Sequence, residues 1–188
     1  FEETIFVDAD CIVLDSLDNL FATLDTNDLA MVGEHLTLSD NTRHHGFSTS
    51  ALIRRFRLGS YLKTNSGLFC FRRSRAMAIL EDCLECYLKE IRPKLRYSTL
   101  LGRWLGDEIA FGIVGGRKAV GTLPKPDPMY WPQEFETLNL NAPGKPLLHL
   151  IWPPKKEVFE ELMLATTSRR RDASVSGNAE LHWREEVQ

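Results

Sequence analysis

The sequence predicts an α/β domain with a mostly parallel sheet and flanking helices. Three observations carry this expectation: short apolar runs of strand length, an amphipathic helical stretch between two of them, and polar residues where the runs end. The chain has 188 residues, 43% hydrophobic and 26% charged, which suits one compact domain with a real core. Lys and Arg number 23 against 26 Asp and Glu, a formal charge of −3, so the basic field used to neutralise nucleic-acid phosphates is missing and no such partner is expected. No apolar run approaches bilayer-spanning length, and no membrane span is expected. The four cysteines, Cys11, Cys70, Cys83 and Cys86, are too few for a disulfide scaffold, so a reducing, cytoplasmic compartment is expected.

Ile5-Phe6-Val7 is a continuous apolar run ending in Asp8-Ala9-Asp10, the pattern of a central parallel strand with polar groups at its carboxyl end. Such strand ends are where open α/β sheets bind ligands. Asp15 to Phe21 places cap-type residues before an apolar pair at helical spacing and reads as a short helix, and Leu29 to Val32 reads as a strand. Residues 39–60 mix turn formers, histidines and arginines, and predict a lid-like loop carrying one short helix. Gly67 to Phe71 is strand-like. From Ser74 the apolar positions Met77, Leu80, Leu84, Tyr87, Leu88 and Ile91 follow three-and-four spacing, which predicts an amphipathic helix stopped near Pro93.

Gly106-Asp107-Glu108 leads into apolar Ile109 to Val114 and then Gly115-Gly116, a unit that fits a helix or a strand equally. The proline-rich stretch from Pro124 to Pro132 reads as irregular surface chain. Leu147 to Trp152 is a last strand containing His149, broken by Pro153-Pro154 before a final helix around Glu157 to Leu164. Residues 1–166 thus form the domain, and 167–188 a polar tail, mobile or docked through Leu181 and Trp183.

Asp8 and Asp10 lie two apart, so at an extended strand end they project to one side and are able to share a divalent ion. Solvated turn carboxylates are the plainer reading of a bare Asp-x-Asp. Cys83-x-x-Cys86 lies inside the best helix without a second Cys pair, which points to core packing rather than zinc. His44-His45 reads as a solvated loop pair, with contact to a diphosphate or acceptor from the lid as the alternative. Arg169-Arg170-Arg171 reads as a solvated charge run.

The run FVDADCIVLDSLDNLF resembles the metal-binding signature of GT-A-fold glycosyltransferases. Three later signals resemble the same families in the same order: Asn65-Ser66-Gly67 leading a strand, Gly106-Asp107-Glu108 at a helix start, and a late strand, Lys145 to Trp152, with its histidine. The likeness is closest to the retaining family of glycogenin and the lipopolysaccharide galactosyltransferases. It implies a hexosyltransferase that uses Mn²⁺ or Mg²⁺ and a UDP- or GDP-sugar donor, with a saccharide, lipid or protein acceptor. By the same likeness Asp8, Asp10 and His149 hold the metal, while Asp8, Ala9 and Lys155 hold the nucleotide, Lys156 standing beside Lys155. Asn65, Asp107 and Glu108 lie by the transferred sugar or its acceptor. The family builds its base pocket from strands before the Asp-x-Asp, and seven residues precede Asp8 here, so the likeness implies the carboxyl-terminal portion of a longer enzyme.

A rival resemblance is to haloacid-dehalogenase-type phosphatases, with Asp8 as nucleophile, Asp10 as general acid, and Mg²⁺ between them. Thr64-Asn65, Lys94 and Gly106-Asp107 are then the later motifs, although Cys11 and Ile12 depart from that family's pattern and Asn65 enters an apolar strand. A third expectation is a sugar-nucleotide-binding module without turnover.

Overall fold

The computed structural model describes residues 1–95, 106–139, 142–150 and 164. Lys155, Lys156, the arginine run, the tail and all of the last helix but Leu164 lie outside the described residues. A four-stranded sheet has the order β1 (Glu3–Val7), β6 (Tyr61–Arg72), β3 (Leu29–Leu36), β7 (Gly121–Thr122). A smaller sheet has the order β2 (Cys11–Val13), β9 (Leu147–His149), β8 (Met129–Tyr130). Strands β4 (Arg43–His44) and β5 (Phe47–Ser48) form a separate hairpin.

The molecule is α/β, but its sheets are mixed and mostly antiparallel, which corrects the parallel expectation. Only β3–β7 and β8–β9 run parallel among the described strands. β1 pairs antiparallel with β6 and occupies the sheet edge rather than its centre. Its unbroken apolar character has another cause: Ile5 and Val7 pack into one core, while Phe6 on the opposite face stacks on Phe69 with ring centroids 4.6 Å apart.

β3 and β6 carry the fold because they are apolar on both faces. Leu29 and Met31 of β3 face a layer made by α1 (Thr49–Phe56), α2 (Arg73–Cys86) and α4 (Gly106–Gly115). Ala30 and Val32 face the other way, onto a 3-10 segment (Asp18–Asp25) and the β8–β9 strands. The expected short helix is thus present in the tighter 3-10 form and begins three residues later.

The predicted long helix exists, and of its expected apolar positions Leu80, Tyr87 and Ile91 pack on the core. Ala76, Ile79, Cys83 and Cys86 are buried, whereas Met77, Leu84 and Leu88 are exposed. Small residues set this phase: Ala76, Cys83 and Cys86 let α2 lie close to α4. Among the described residues the helix extends to Leu95, two residues past Pro93. A π turn (Tyr87–Ile91) widens the backbone just before it, and α3 (Arg92–Leu95) carries Pro93 at its second position.

The ambiguous unit after Gly106 is a helix, α4, buried along most of its length. Pro124 to Pro132 is not all surface chain, since Met129 is fully buried in β8. Among the described residues no helix is long and apolar enough to cross a membrane.

Candidate functional site

Between Met31 and Val32 the pairing of β3 jumps from Phe69 to Asn65 on β6, so Ser66, Gly67 and Leu68 bulge out of that ladder. A bulge re-aims the side chains it carries. Here it delivers Asn65-Ser66-Gly67 to the place where β1, β9 and α4 end, and two polar clusters form on either side of it.

At the first cluster β2 pairs with β9, Cys11 opposite His149, and the Leu150 N–H donates to the Asp10 carbonyl at 2.9 Å. This pairing brings His149 Nε2 to 3.3 Å from Asp10 Oδ1. The imidazole is 4% exposed, and its Nδ1 has no hydrogen-bond partner among the described residues. Gly67 adjoins the same ring: a Cβ placed on it would lie 3.0 Å from His149 Cε1 and 3.2 Å from Nε2, so only hydrogen leaves that space open. Asp10, Cys11 and His149 form one group of potential ligands. Burial, first, and then the charges of Asp10 and Asp8 push the Cys11 thiol up to about 12, so it stands by as a neutral group.

Asp8 is not in that group. It follows β1, its N–H donates to the Gly67 carbonyl at 2.9 Å, and its exposed carboxylate accepts the Ala9 N–H at 2.8 Å. Asp8 and Ala9 therefore stand next to Asp10 in sequence, the two sharing a local turn.

At the second cluster Glu108 of α4 is buried. Its Oε1 accepts from Asn65 Nδ2 at 3.0 Å, Ser66 N at 3.0 Å and Ser66 Oγ at 3.4 Å. Its Oε2 faces the Nε2 atoms of His44, at 3.4 Å, and of His45. Burial opposes ionisation of this carboxyl, but the hydrogen bonds from His44, His45 and Ser66 outweigh it and hold it at about 2. Asp107, one residue earlier, is exposed and accepts from Ser66 Oγ at 3.1 Å. Asn65 closes the bridge between clusters: its Oδ1 accepts the Gly67 N–H at 2.9 Å while its amide nitrogen reaches Glu108.

Asp10, His149, Asn65, Asp107 and Glu108, drawn from four separate stretches of sequence, thus gather around one bulge. The part played by His44 and His45 was not visible in sequence, where they read as a solvated pair; His44 is 5% exposed. His45-Gly46 is the two-residue turn between β4 and β5. Cys83 and Cys86 are buried in the core between α2 and its neighbours, as expected. No protein-family model, no curated protein and no solved structure matches the chain.

Proposed function

We propose that the chain is a metal-dependent glycosyltransferase domain that moves a sugar from a nucleoside diphosphate to an acceptor. The observation that supports this best is the 3.3 Å approach of Asp10 Oδ1 and His149 Nε2, with the glycine of Asn65-Ser66-Gly67 packed against the same imidazole. Three motifs that the resemblance singles out thereby share one place.

The residues present fit a divalent ion. Two ligands at right angles on bonds of about 2.1 Å lie about 3 Å apart, close to the observed spacing. A carboxylate with an imidazole suits Mn²⁺, and a set of only two protein ligands leaves positions for diphosphate oxygens. Asp10 and His149 would hold the ion, which when bound supplies charge neutralisation for the departing diphosphate. The chain's own part is positional. Asp8 and Ala9 flank the nucleotide side, and Asn65 is oriented by two hydrogen bonds so that it meets the sugar without reorganising.

Thermal unfolding with Mn²⁺ and UDP, or with GDP in its place, tests the reading. A ligand at a hundred times its Kd stabilises by about 2.7 kcal/mol, which in a domain of this size raises Tm by about 5–10 °C. Asp10→Asn and His149→Ala should each abolish the rise, since neither replacement supplies the lost ligand. An equal rise in wild type and both variants would refute the site. Hydrolysis of an aryl phosphate that stops in Asp8→Asn would replace the transferase by the phosphatase reading.

A further inference from the structure

The second cluster contains a group that the donor end does not use. His45 and Gly46 form the two-residue turn of the β4–β5 hairpin with φ of +49° and +83°, both in the left-handed region. A β-hairpin turn of this kind favours Asn, Asp or Gly in its first position. A histidine there is conformationally expensive, and strain of this sort gathers where a side chain has to be aimed. The imidazole is aimed at Glu108.

The hydrogen-bond count around Glu108 fixes the state of both imidazoles. Its Oε1 is met by Asn65 and Ser66, and its Oε2 by the two Nε2 atoms, so an ionised carboxylate here requires Nε2–H on each ring. His44 then spends its other nitrogen on Tyr61, whose hydroxyl donates to Nδ1 at 2.7 Å. Burial, and next the Glu108 charge, raise the Tyr61 phenol well above its ordinary range, so it keeps its proton for this bond. His44 is therefore a brace with no free atom. His45 differs: its side chain retains 22% exposure, and its Nδ1 has no partner among the described residues. A ring held as the Nε2–H tautomer by an anion, with an open Nδ1 lone pair, has the form of a general base.

We infer that His45 is the proton acceptor of this site, taking the proton of the acceptor hydroxyl through Nδ1 while Glu108 positions the ring and offsets the charge it gains. The inference rests on the glycosyl-transfer reading. In the step, the hydroxyl oxygen bonds to the anomeric carbon and the carbon–oxygen bond to the diphosphate breaks, its electron pair leaving with the diphosphate. The hydroxyl proton passes to His45 Nδ1, and the imidazolium later returns it to water. The titratable groups facing His45 are Glu108 on α4 and His44 on β4, with Tyr61 on β6 reaching the cluster through His44 and Asp107 through Ser66.

His45→Asn tests this without endangering the hairpin, because Asn is favoured in that turn position and holds no titratable nitrogen. With a UDP- or GDP-sugar and a small alcohol or water as acceptor, kcat should fall at least a hundredfold while the Tm rise with Mn²⁺ and the bare nucleotide is unchanged. The acid limb of the wild-type pH–rate profile should disappear in the variant. Turnover kept within threefold, or an unaltered acid limb, would overturn the inference while leaving the donor site standing; absence of any nucleotide-dependent Tm rise in wild type would instead strike the transferase reading.

A second measurement needs no turnover. Nitrogen-15 NMR of the imidazoles in the full chain should show His45 as the Nε2–H tautomer, and the preference should be lost in Glu108→Gln. Mixed tautomers for His45 in wild type would overturn the inference. So would stoichiometric uptake of Zn²⁺ by the His149→Ala chain that vanishes with His45→Asn, which would make the cluster an ion site.

Discussion

Glu108 is the residue on which the second cluster turns, and its environment sets a pH dependence. The carboxyl ionises at about 2 in the folded chain against an ordinary value of 4.5, so folding favours the charged form. Its stabilisation is fully present above pH 4.5 and is lost as pH falls from there toward about 2, a contribution of about 3 kcal/mol. Urea unfolding at pH 7, 4.5 and 3 should show the wild type losing stability across that window, and Glu108→Gln starting lower and changing less. Parallel pH slopes in the two proteins would contradict this. The acidic pair was legible in the sequence as a helix start, and so were Asp10 and His149 as strand-end polar residues. The link from His45 to Glu108 was not legible. It joins residues 63 positions apart through a left-handed turn, and neither helical nor strand periodicity encodes such a contact.

At the scale of elements, periodicity located the helix and, of its core positions, Leu80, Tyr87 and Ile91. Apolar count favoured Met77, Leu84 and Leu88, while close packing against α4 selected the smaller Ala76, Cys83 and Cys86. Leu84→Ala should therefore change stability by no more than about 0.5 kcal/mol, and Ile79→Ala should cost about 2–4 kcal/mol, both read by chemical unfolding. Comparable losses would return the helix to the phase expected from its sequence. The contact between α4 and β6 is equally specific: a Cβ on Gly112 would lie 2.4 Å from Tyr61 Cζ. Gly112→Ala should cost about 1–3 kcal/mol and displace the Tyr61 hydroxyl from His44, visible as a shift of the His44 ring resonances. An unperturbed His44 would show that the phenol is not held by this packing. Neither glycine contact nor bulge announces itself in a single sequence, because each depends on what a distant strand brings.

Across the whole molecule, strand direction was the main feature that local pattern could not supply. An apolar run is equally apolar in a central parallel strand and in an antiparallel edge strand whose outer face stacks on a neighbour, as Phe6 does on Phe69. β3 and β6 contribute buried residues to both cores. Amide hydrogen exchange should accordingly be slowest along Leu29–Val32 and Leu68–Cys70 and faster in the β4–β5 hairpin, which pairs with no other strand among the described residues. Equal protection of the hairpin would show it to be part of the central cooperative unit. The bulge joins the two clusters across this architecture, with Gly67 against His149 and Asn65 against Glu108. Two peptide steps separate those residues, and their Cα atoms lie at most about 7.6 Å apart. The bulge is thus a ruler made of main chain. Repacking either core leaves its graduation untouched, whereas one residue inserted at Ser66 extends its reach by up to about 3.8 Å. A molecule long enough to touch both ends is measured by a count of backbone atoms.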